Sequence, residues 1–413
     1  MSSTALLELD TVAKAPVSRQ LSILVGVTRH ETCLVLRGRL RALRIAGFDV
    51  TVVSNPGDLL TRTAALEGVR SIAIPISRGI APLADLISLV RLWLLIGRLR
   101  PEMVEFSTPK AGLLGTLAAR LRGVPRRVYM LRGLKLETTR GIKRQILLAA
   151  ERLAARCAHV VLCNSRSLMA QALALKLAPA SRLQLLGAGS SNGVDTDHFC
   201  PGPSKVRDLL RLPRRAKVIG FVGRLTRDKG LPELVEAFNQ ILLREPDAHL
   251  VLVGWFDNGE DSLSASLRAQ ISAHRRIHLT GFVSDPLPFY RAMDVMVLPT
   301  WREGFPNVVL EAAATGIPVV TTFSTGSRDS VVPEVTGLLI PPGYPEAIVE
   351  AVCKLLADPH RAHRMGAAAR AWVLENYVDE HVMSLTSSFY KSLLESKEGD
   401  QILSSQSTAY AGD

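Results

Sequence analysis

Aromatic side chains are scarce, 5% of the 413 residues, which leaves little to build a surface for stacking nucleobases. Cysteine is sparse as well. Cys33, Cys157, Cys163, Cys200 and Cys353 form no Cys-x-x-Cys pair and are odd in number, so neither a disulfide framework nor a zinc site is indicated, and a reducing cytoplasm fits. Cys163, inside the apolar run HVVLCNS, is expected simply to pack against a sheet. No apolar run is long enough to span a bilayer: LADLISLVRLWLLIGRLRP is broken by Arg91 and reads as a helix that packs on a sheet or lies on a membrane. Glu8 and Asp10 stand where the apolar core of a secretion signal belongs, which argues against export. Acidic residues are outnumbered, 38 against 50 basic ones, for a net charge of +12. That excess implies an anionic partner: nucleic acid, nucleotide, phosphorylated substrate or membrane surface. No helix-turn-helix, zinc finger or RNP-like strand supports the first.

What is present is a folded composition, 47% hydrophobic and 21% charged, in a chain longer than one core usually supports, so two domains are expected. Apolar β-rich runs alternate with helix-length segments throughout. In the first half these are LSILVGV, FDVTVVS, VRSIAIPI, EMVEF, RRVYML, HVVLCNS and RLQLL; after NGVDTDHFCPGPS the pattern restarts with KVIGFVG, HLVLVG, RIHLTGF, VMVLPT, PVVTT and GLLIPP. Such alternation is the signature of parallel sheets covered by helices, here two doubly wound Rossmann-like α/β domains facing a cleft. The expected divisions are a flexible segment 1–18, a first domain 19–198, a linker 199–204, a second domain 205–378, a last helix 379–396 that crosses back to the first domain, and a flexible tail 397–413.

Two stretches carry the chemistry. GRLTRDKG, residues 223–230, follows the apolar run KVIGFV and precedes a segment whose Leu231, Leu234, Val235, Phe238, Ile241 and Leu242 share one helical face. A glycine-led loop between strand and helix is a place where α/β proteins hold phosphates, and Gly223, Arg224 and Lys229 supply close approach, a guanidinium fork and a point charge. A solvated basic turn is the competing reading. In PTWREGFPNVVLEAAATGIPVVTT a strand ends at Pro299, Glu303 and Gly304 lie on a loop, Pro306 occupies the first helical turn, and the N–H groups of residues 304–308 face the cleft. Glu303 and Glu311 lie about two helical turns apart, too far to act as a touching carboxylate pair, but suited to grip two parts of one extended ligand such as a nucleotide-sugar. Plain surface solvation is the alternative.

Taken together, VGRLTRDKGLPELVEAF, GFVSD, MVLPTWREGFPNVVLEAAATGIPVVTT and VTGLLIPPG resemble the donor-binding half of the family 4 glycosyltransferases, retaining enzymes of the GT-B fold. STPKAGLLGTLAARLRGVPRRVYMLRGLKLE and GAGSSNGVDTDHF resemble the bacterial branch that builds capsule, exopolysaccharide or O-antigen. The resemblance runs from about Leu21 to Leu394. It implies that Arg224 and Lys229 hold the donor diphosphate, Glu311 the ribose and Glu303 the transferred sugar. Gly304, Phe305, Asn307 and Val308 then contact sugar and phosphate, largely through the backbone, and Gly281 and Phe282 lie near the base. It also implies no cofactor, no metal and no nucleic acid. The nucleotide-sugar is a substrate, expected to be a UDP-sugar. The acceptor is a polyprenyl diphosphate-linked glycan met at the anionic inner face of the cell membrane.

Two departures bear on the acceptor side, whose candidates are Gly26, Arg29, His30, Lys110, Arg132 and Gly133. The first loop reads VGVTRHETC where relatives carry a Gly-Gly pair, leaving Gly26 alone for close approach. LRGLK has Arg132 where relatives often carry His. Asp195 and Asp197 mimic a metal-binding Asp-x-Asp but belong to a turn before the linker. A sugar-nucleotide 2-epimerase of the same fold is the nearest rival, and a basic nucleic-acid-binding protein the rival from another class.

Overall fold

Thirteen runs become thirteen strands. The computed structural model describes residues 21–395, except 78 and 80; the segments 1–18 and 397–413 lie outside the described residues. The strands are β1 Leu21–Gly26, β2 Phe48–Ser54, β3 Arg70–Ala73, β4 Met103–Ser107, β5 Arg126–Leu131, β6 Val160–Cys163 and β7 Leu183–Leu185. They continue with β8 Lys217–Val222, β9 Ala248–Val253, β10 Ile277–Gly281, β11 Val295–Leu298, β12 Val319–Thr322 and β13 Gly337–Ile340. Central strands such as β4 and β9 are buried along their whole length, as strands covered by helices on both faces must be.

The strands form two sheets, ordered β3-β2-β1-β4-β5-β6-β7 and β10-β9-β8-β11-β12-β13, with parallel pairing at their centres. Each order reverses once, between β1 and β4 and between β8 and β11. A crevice opens at such a reversal, beyond the carboxyl ends of the strands, and ligands of open α/β sheets bind there. Cys163 is buried in β6, and burial pushes its thiol up to about 12, which leaves it inert.

The helix Leu231–Arg244 covers the second sheet with Leu231, Leu234, Val235, Phe238 and Ile241, all buried, and Leu242 packed at the edge. The helix Pro82–Leu99 behaves differently. It buries Ser88, Leu92 and Ile96 against the first sheet and turns Leu83, Leu86, Ile87, Val90 and Leu94 outward, Leu83 being 80% exposed.

After the second sheet the chain crosses back. Val378 bridges Val194, and the helix Asp379–Glu395 inserts Phe389, Tyr390 and Leu393 into the core of the first sheet. There Tyr390 OH donates to Glu105 Oε2 at 2.6 Å, while Arg39 Nη2 donates to Glu105 Oε2 at 2.7 Å and to Tyr390 OH at 2.9 Å. Arg39 and Glu105 are both fully buried. Burial opposes charge on each, but their mutual attraction outweighs it, holding the carboxyl below its ordinary range and the guanidinium above. Removing one partner strands the other charge in the interior. Replacing Glu105 with Ala is therefore expected to cost about 3–5 kcal/mol of stability, read from the urea midpoint; a loss under about 1 kcal/mol contradicts the buried pair.

Candidate active site

The basic loop and the glutamate loop meet at the carboxyl ends of β8 and β11. Gly223 leaves β8 with φ 145° against Gly254, whose own positive φ follows β9; a side chain at Gly254 would overlap the Gly223 carbonyl. This close approach brings Asp257 beside the basic loop, where Arg224 Nη1 donates to Asp257 Oδ2 at 2.6 Å. Arg227–Lys229 then form one turn of 3-10 helix, and Gly230, at φ 73°, turns the chain under the Pro299 carbonyl into the helix Leu231–Arg244.

Lys229 Nζ donates to Glu303 Oε1, an ion pair with both side chains largely shielded from solvent. Asp228 is buried beside it and accepts from Arg302 Nη2 at 2.8 Å. Burial works against charge on Asp228, yet Lys229 and Arg302 overcome it and keep the carboxyl below its ordinary value. Arg224 and Lys229 are thus each already paired with a carboxylate, while Arg227 Nη2 donates to the Glu260 carbonyl; a diphosphate can enter by exchange with the two carboxylates.

Glu303 is followed by Gly304 and by the helix Asn307–Ala314. Pro306 is the N-cap of that helix, one position before its first residue, and not inside the first helical turn as expected from sequence. Val309 N donates to the Pro306 carbonyl at 3.0 Å, while Asn307 and Val308, at the start of the helix, have no helical acceptor for their N–H groups. Phe305 is turned inward against Tyr377, ring centroids 5.3 Å apart, so only its backbone faces the site. Val308 is half-buried against the second core. Glu311 lies one turn into the helix, where Tyr290 OH donates to its Oε2 at 2.8 Å. Burial raises the Glu311 carboxyl to about 7, against the lowering effect of that hydrogen bond. Gly281 has φ 70° at an irregularity of β10, and Phe282 beyond it is 52% exposed, meeting Trp255 edge-to-face with centroids 5.4 Å apart.

The first domain closes on this assembly through the main chain. Gly133, with φ 121°, lies 3.1 Å from the Gly304 nitrogen measured from the position a Cβ would take. A Cβ on Gly304 would overlap the Arg132 carbonyl, and one on Gly326 would overlap the Gly304 carbonyl. Polar contacts reinforce the seam: Thr325 Oγ1 donates to Glu137 at 2.7 Å, Arg302 Nε to Thr138 at 2.9 Å, and Lys143 and Lys135 both hold Glu260.

Two acceptor-side residues read from sequence have other work. Gly26 is small to admit Phe106, whose ring would collide with a Cβ there, so packing in the first core already accounts for the glycine. Lys110 Nζ is held by Ser77 Oγ, Gly79 O and Asp85 Oδ1, which fixes the segment before the helix Pro82–Leu99. Arg29 pairs with Glu31, and His30 packs its ring on Gly57 with Nδ1 buried and without a hydrogen-bond partner among the described residues. Arg132 and Gly133 stay at the seam. Asp195 caps a local turn by accepting from His198 N at 2.9 Å, and among the described residues no group of three or more His, Cys, Asp or Glu is placed to hold a metal. Asp257, Glu137 and Arg302 were not read from sequence; the Gly254 that ends HLVLVG was the available pointer to Asp257.

Two family models divide the chain where the two sheets do. "Glycosyl transferase 4-like domain" matches residues 35–189 and "Glycosyl transferases group 1" matches residues 216–358. A capsular polysaccharide biosynthesis glycosyltransferase, CapM of Staphylococcus aureus, is 35% identical over 90% of this chain and 97% of its own.

The chain belongs to the group 1 glycosyltransferases.

A second relative of this glycosyltransferase, the UDP-Gal:α-D-GlcNAc-diphosphoundecaprenol α-1,3-galactosyltransferase of Escherichia coli, is 28% identical over 75% of this chain and 81% of its own. Among solved structures, HepE of Anabaena, in complex with UDP and glucose, superimposes with a TM-score of 0.75 at 21% identity, covering 91% of this chain and all of that one. The two-domain architecture is thus that of GT-B enzymes. In this glycosyltransferase the Gly304 contact sets the spacing between domains. Gly304→Ala is expected to lower kcat/KM about 10²-fold by displacing reacting groups on the order of 1 Å, and to lower the thermal midpoint too, because the carbonyl it meets belongs to backbone. Unaltered turnover would show that the seam does not position the site.

Proposed function

We propose that this glycosyltransferase moves a sugar from a UDP-sugar to a lipid diphosphate-linked glycan in surface polysaccharide synthesis, with retention of anomeric configuration and without a metal. The observation that carries the reading is the Lys229–Glu303 pair, its glutamate four residues before the Asn307–Ala314 helix, with Arg224 in the same basic loop. Two cations and a helix N-terminus are what a departing nucleoside diphosphate requires. The capsular and diphosphoundecaprenol-specific relatives support the pathway and the acceptor class.

In this mechanism Arg224 and Lys229 leave Asp257 and Glu303 for the diphosphate, and Glu303 turns to the sugar hydroxyls and the oxocarbenium-like centre. The bond from the anomeric carbon to the diphosphate oxygen breaks. The acceptor hydroxyl attacks from the same face and passes its proton to the leaving phosphate. Gly304, Asn307 and Val308 contribute backbone N–H groups, Glu311 holds the ribose, and the base lies by Gly281 and Phe282. The outward stripe of the Pro82–Leu99 helix, with exposed Arg91, Arg98 and Arg100 around it, suits the surface of an anionic membrane on the cytoplasmic side.

Supplying UDP-glucose, UDP-galactose and UDP-N-acetylglucosamine with an undecaprenyl diphosphate-linked monosaccharide tests this directly. Transfer is expected with one donor, in EDTA, faster in vesicles containing phosphatidylglycerol than in phosphatidylcholine alone, and giving the anomer of the donor by NMR. Arg224→Ala and Lys229→Ala are each expected to lose about 10²–10³-fold in kcat. Epimer formation without acceptor, or near-normal transfer by both variants, contradicts the reading.

Glu311 adds a pH signature. A carboxylate accepts hydrogen bonds from ribose hydroxyls, whereas its protonated form has lost acceptor capacity. With a free-enzyme pKa of about 7, UDP affinity is expected to weaken as pH falls from 8 to 6, and Glu311→Gln to flatten that slope. Calorimetric titration of UDP reads it; a profile identical in both proteins removes Glu311 from the ribose.

A further inference from the structure

Arg132 follows β5 at the seam between the domains. Its Nη1 donates to Ser191 Oγ at 2.6 Å, and the adjoining Ser190 Oγ lies 3.5 Å from Asn307 Oδ1 at the start of the donor-side helix. The other edge of the guanidinium is different: Nε and Nη2 are both buried and, among the described residues, have no hydrogen-bond partner. Those two N–H groups form the side-on fork that matches a carboxylate or phosphate with two parallel hydrogen bonds.

Among the described residues this cation has no counter-ion of its own. Arg39 and Arg132 share the electrostatic field of one carboxylate, Glu105, whose Oε2 is taken by Arg39 and Tyr390. Burial first, then repulsion from Arg39, lowers Arg132 to about 10, which leaves it charged at neutral pH. A buried guanidinium with an empty fork is costly unless an anion arrives. The competing arrangement is a bridge from Arg132 to the unpartnered Glu105 Oε1, which would make the arginine purely structural.

We propose that the Nε–Nη2 fork of Arg132 is an oxyanion subsite for the substrate. Its ligand is a phosphate of the acceptor or a carboxylate on the transferred sugar, distinct from the nucleotide phosphates given to Arg224 and Lys229. The proposal rests on the functional reading above. It makes Arg132 a specificity residue, selecting substrates that carry this second negative group.

The test titrates inorganic pyrophosphate and, separately, glucuronate into the full chain with saturating UDP, using wild type, Arg132→Lys and Arg132→Gln. Wild type is expected to bind one of the probes. Both variants are expected to lose about tenfold or more in that affinity, lysine included because it keeps the charge without the fork, while UDP affinity stays within twofold of wild type. Pyrophosphate binding assigns the acceptor phosphate as the source, and glucuronate binding the sugar carboxylate. The subsite is overturned if wild type binds neither probe at millimolar concentration, or if the variants bind as wild type does. A lowered melting temperature of Arg132→Gln with probe affinity unchanged also overturns it, in favour of the bridge to Glu105. Failure of wild type to bind UDP counts against the functional reading instead, and the difference in probe affinity between wild type and the two Arg132 variants still decides the subsite.

Discussion

Lys229 and Glu303 come from loops 74 residues apart and meet as a shielded ion pair. The pair joins the end of β8 to the end of β11 across the point where the second sheet reverses its strand order. A lysine there without a partner would be an unneutralised charge in a partly desolvated crevice, and so would a lone glutamate. The pair solves both problems in the free enzyme and keeps both groups in place for a ligand that brings its own negative charge. Arg224 with Asp257 repeats the device at the neighbouring strand. The two loops are held by pairings within the protein, so their order does not depend on a ligand.

The second constraint is steric. Arg132, Gly133, Gly304 and Gly326 bring three backbone segments from two domains closer than any side chain permits. Main-chain contact of this kind fixes distance more tightly than flexible ion pairs do. The lysines on Glu260 and the contacts of Glu137 and Arg302 lie around that seam. From the far side the last helix, returning through Val378 to bury Tyr390 against Arg39 and Glu105, ties the two domains a second time.

Strand positions were legible because they depend on local pattern. Runs such as HLVLVG and KVIGFV are apolar without alternation, which only a doubly covered parallel strand explains. The glycines of the basic loop and the spacing of Glu303 from Glu311 were legible for the same reason. Arg224, Lys229, Glu303 and Glu311 all stand at the carboxyl ends of the strands or on the helix that follows. The rest depends on which distant residues arrive. Gly26 reads as a ligand-contact glycine until Phe106 is found against it, and Lys110 reads as a cleft cation until Asp85 is found holding it. Arg39, Glu105 and Tyr390 are separated by up to 351 residues in sequence; no periodicity announces that they touch. The unpartnered fork of Arg132 is invisible in sequence for the opposite reason, since it is defined by what its neighbours do not supply.

A crystal structure with UDP bound examines the core of this account most directly. It should show Lys229 detached from Glu303 and Arg224 detached from Asp257, both within hydrogen-bond reach of the diphosphate, whose oxygens also meet the first N–H groups of the Asn307–Ala314 helix. A complex in which UDP sits elsewhere while both ion pairs stay intact would contradict it.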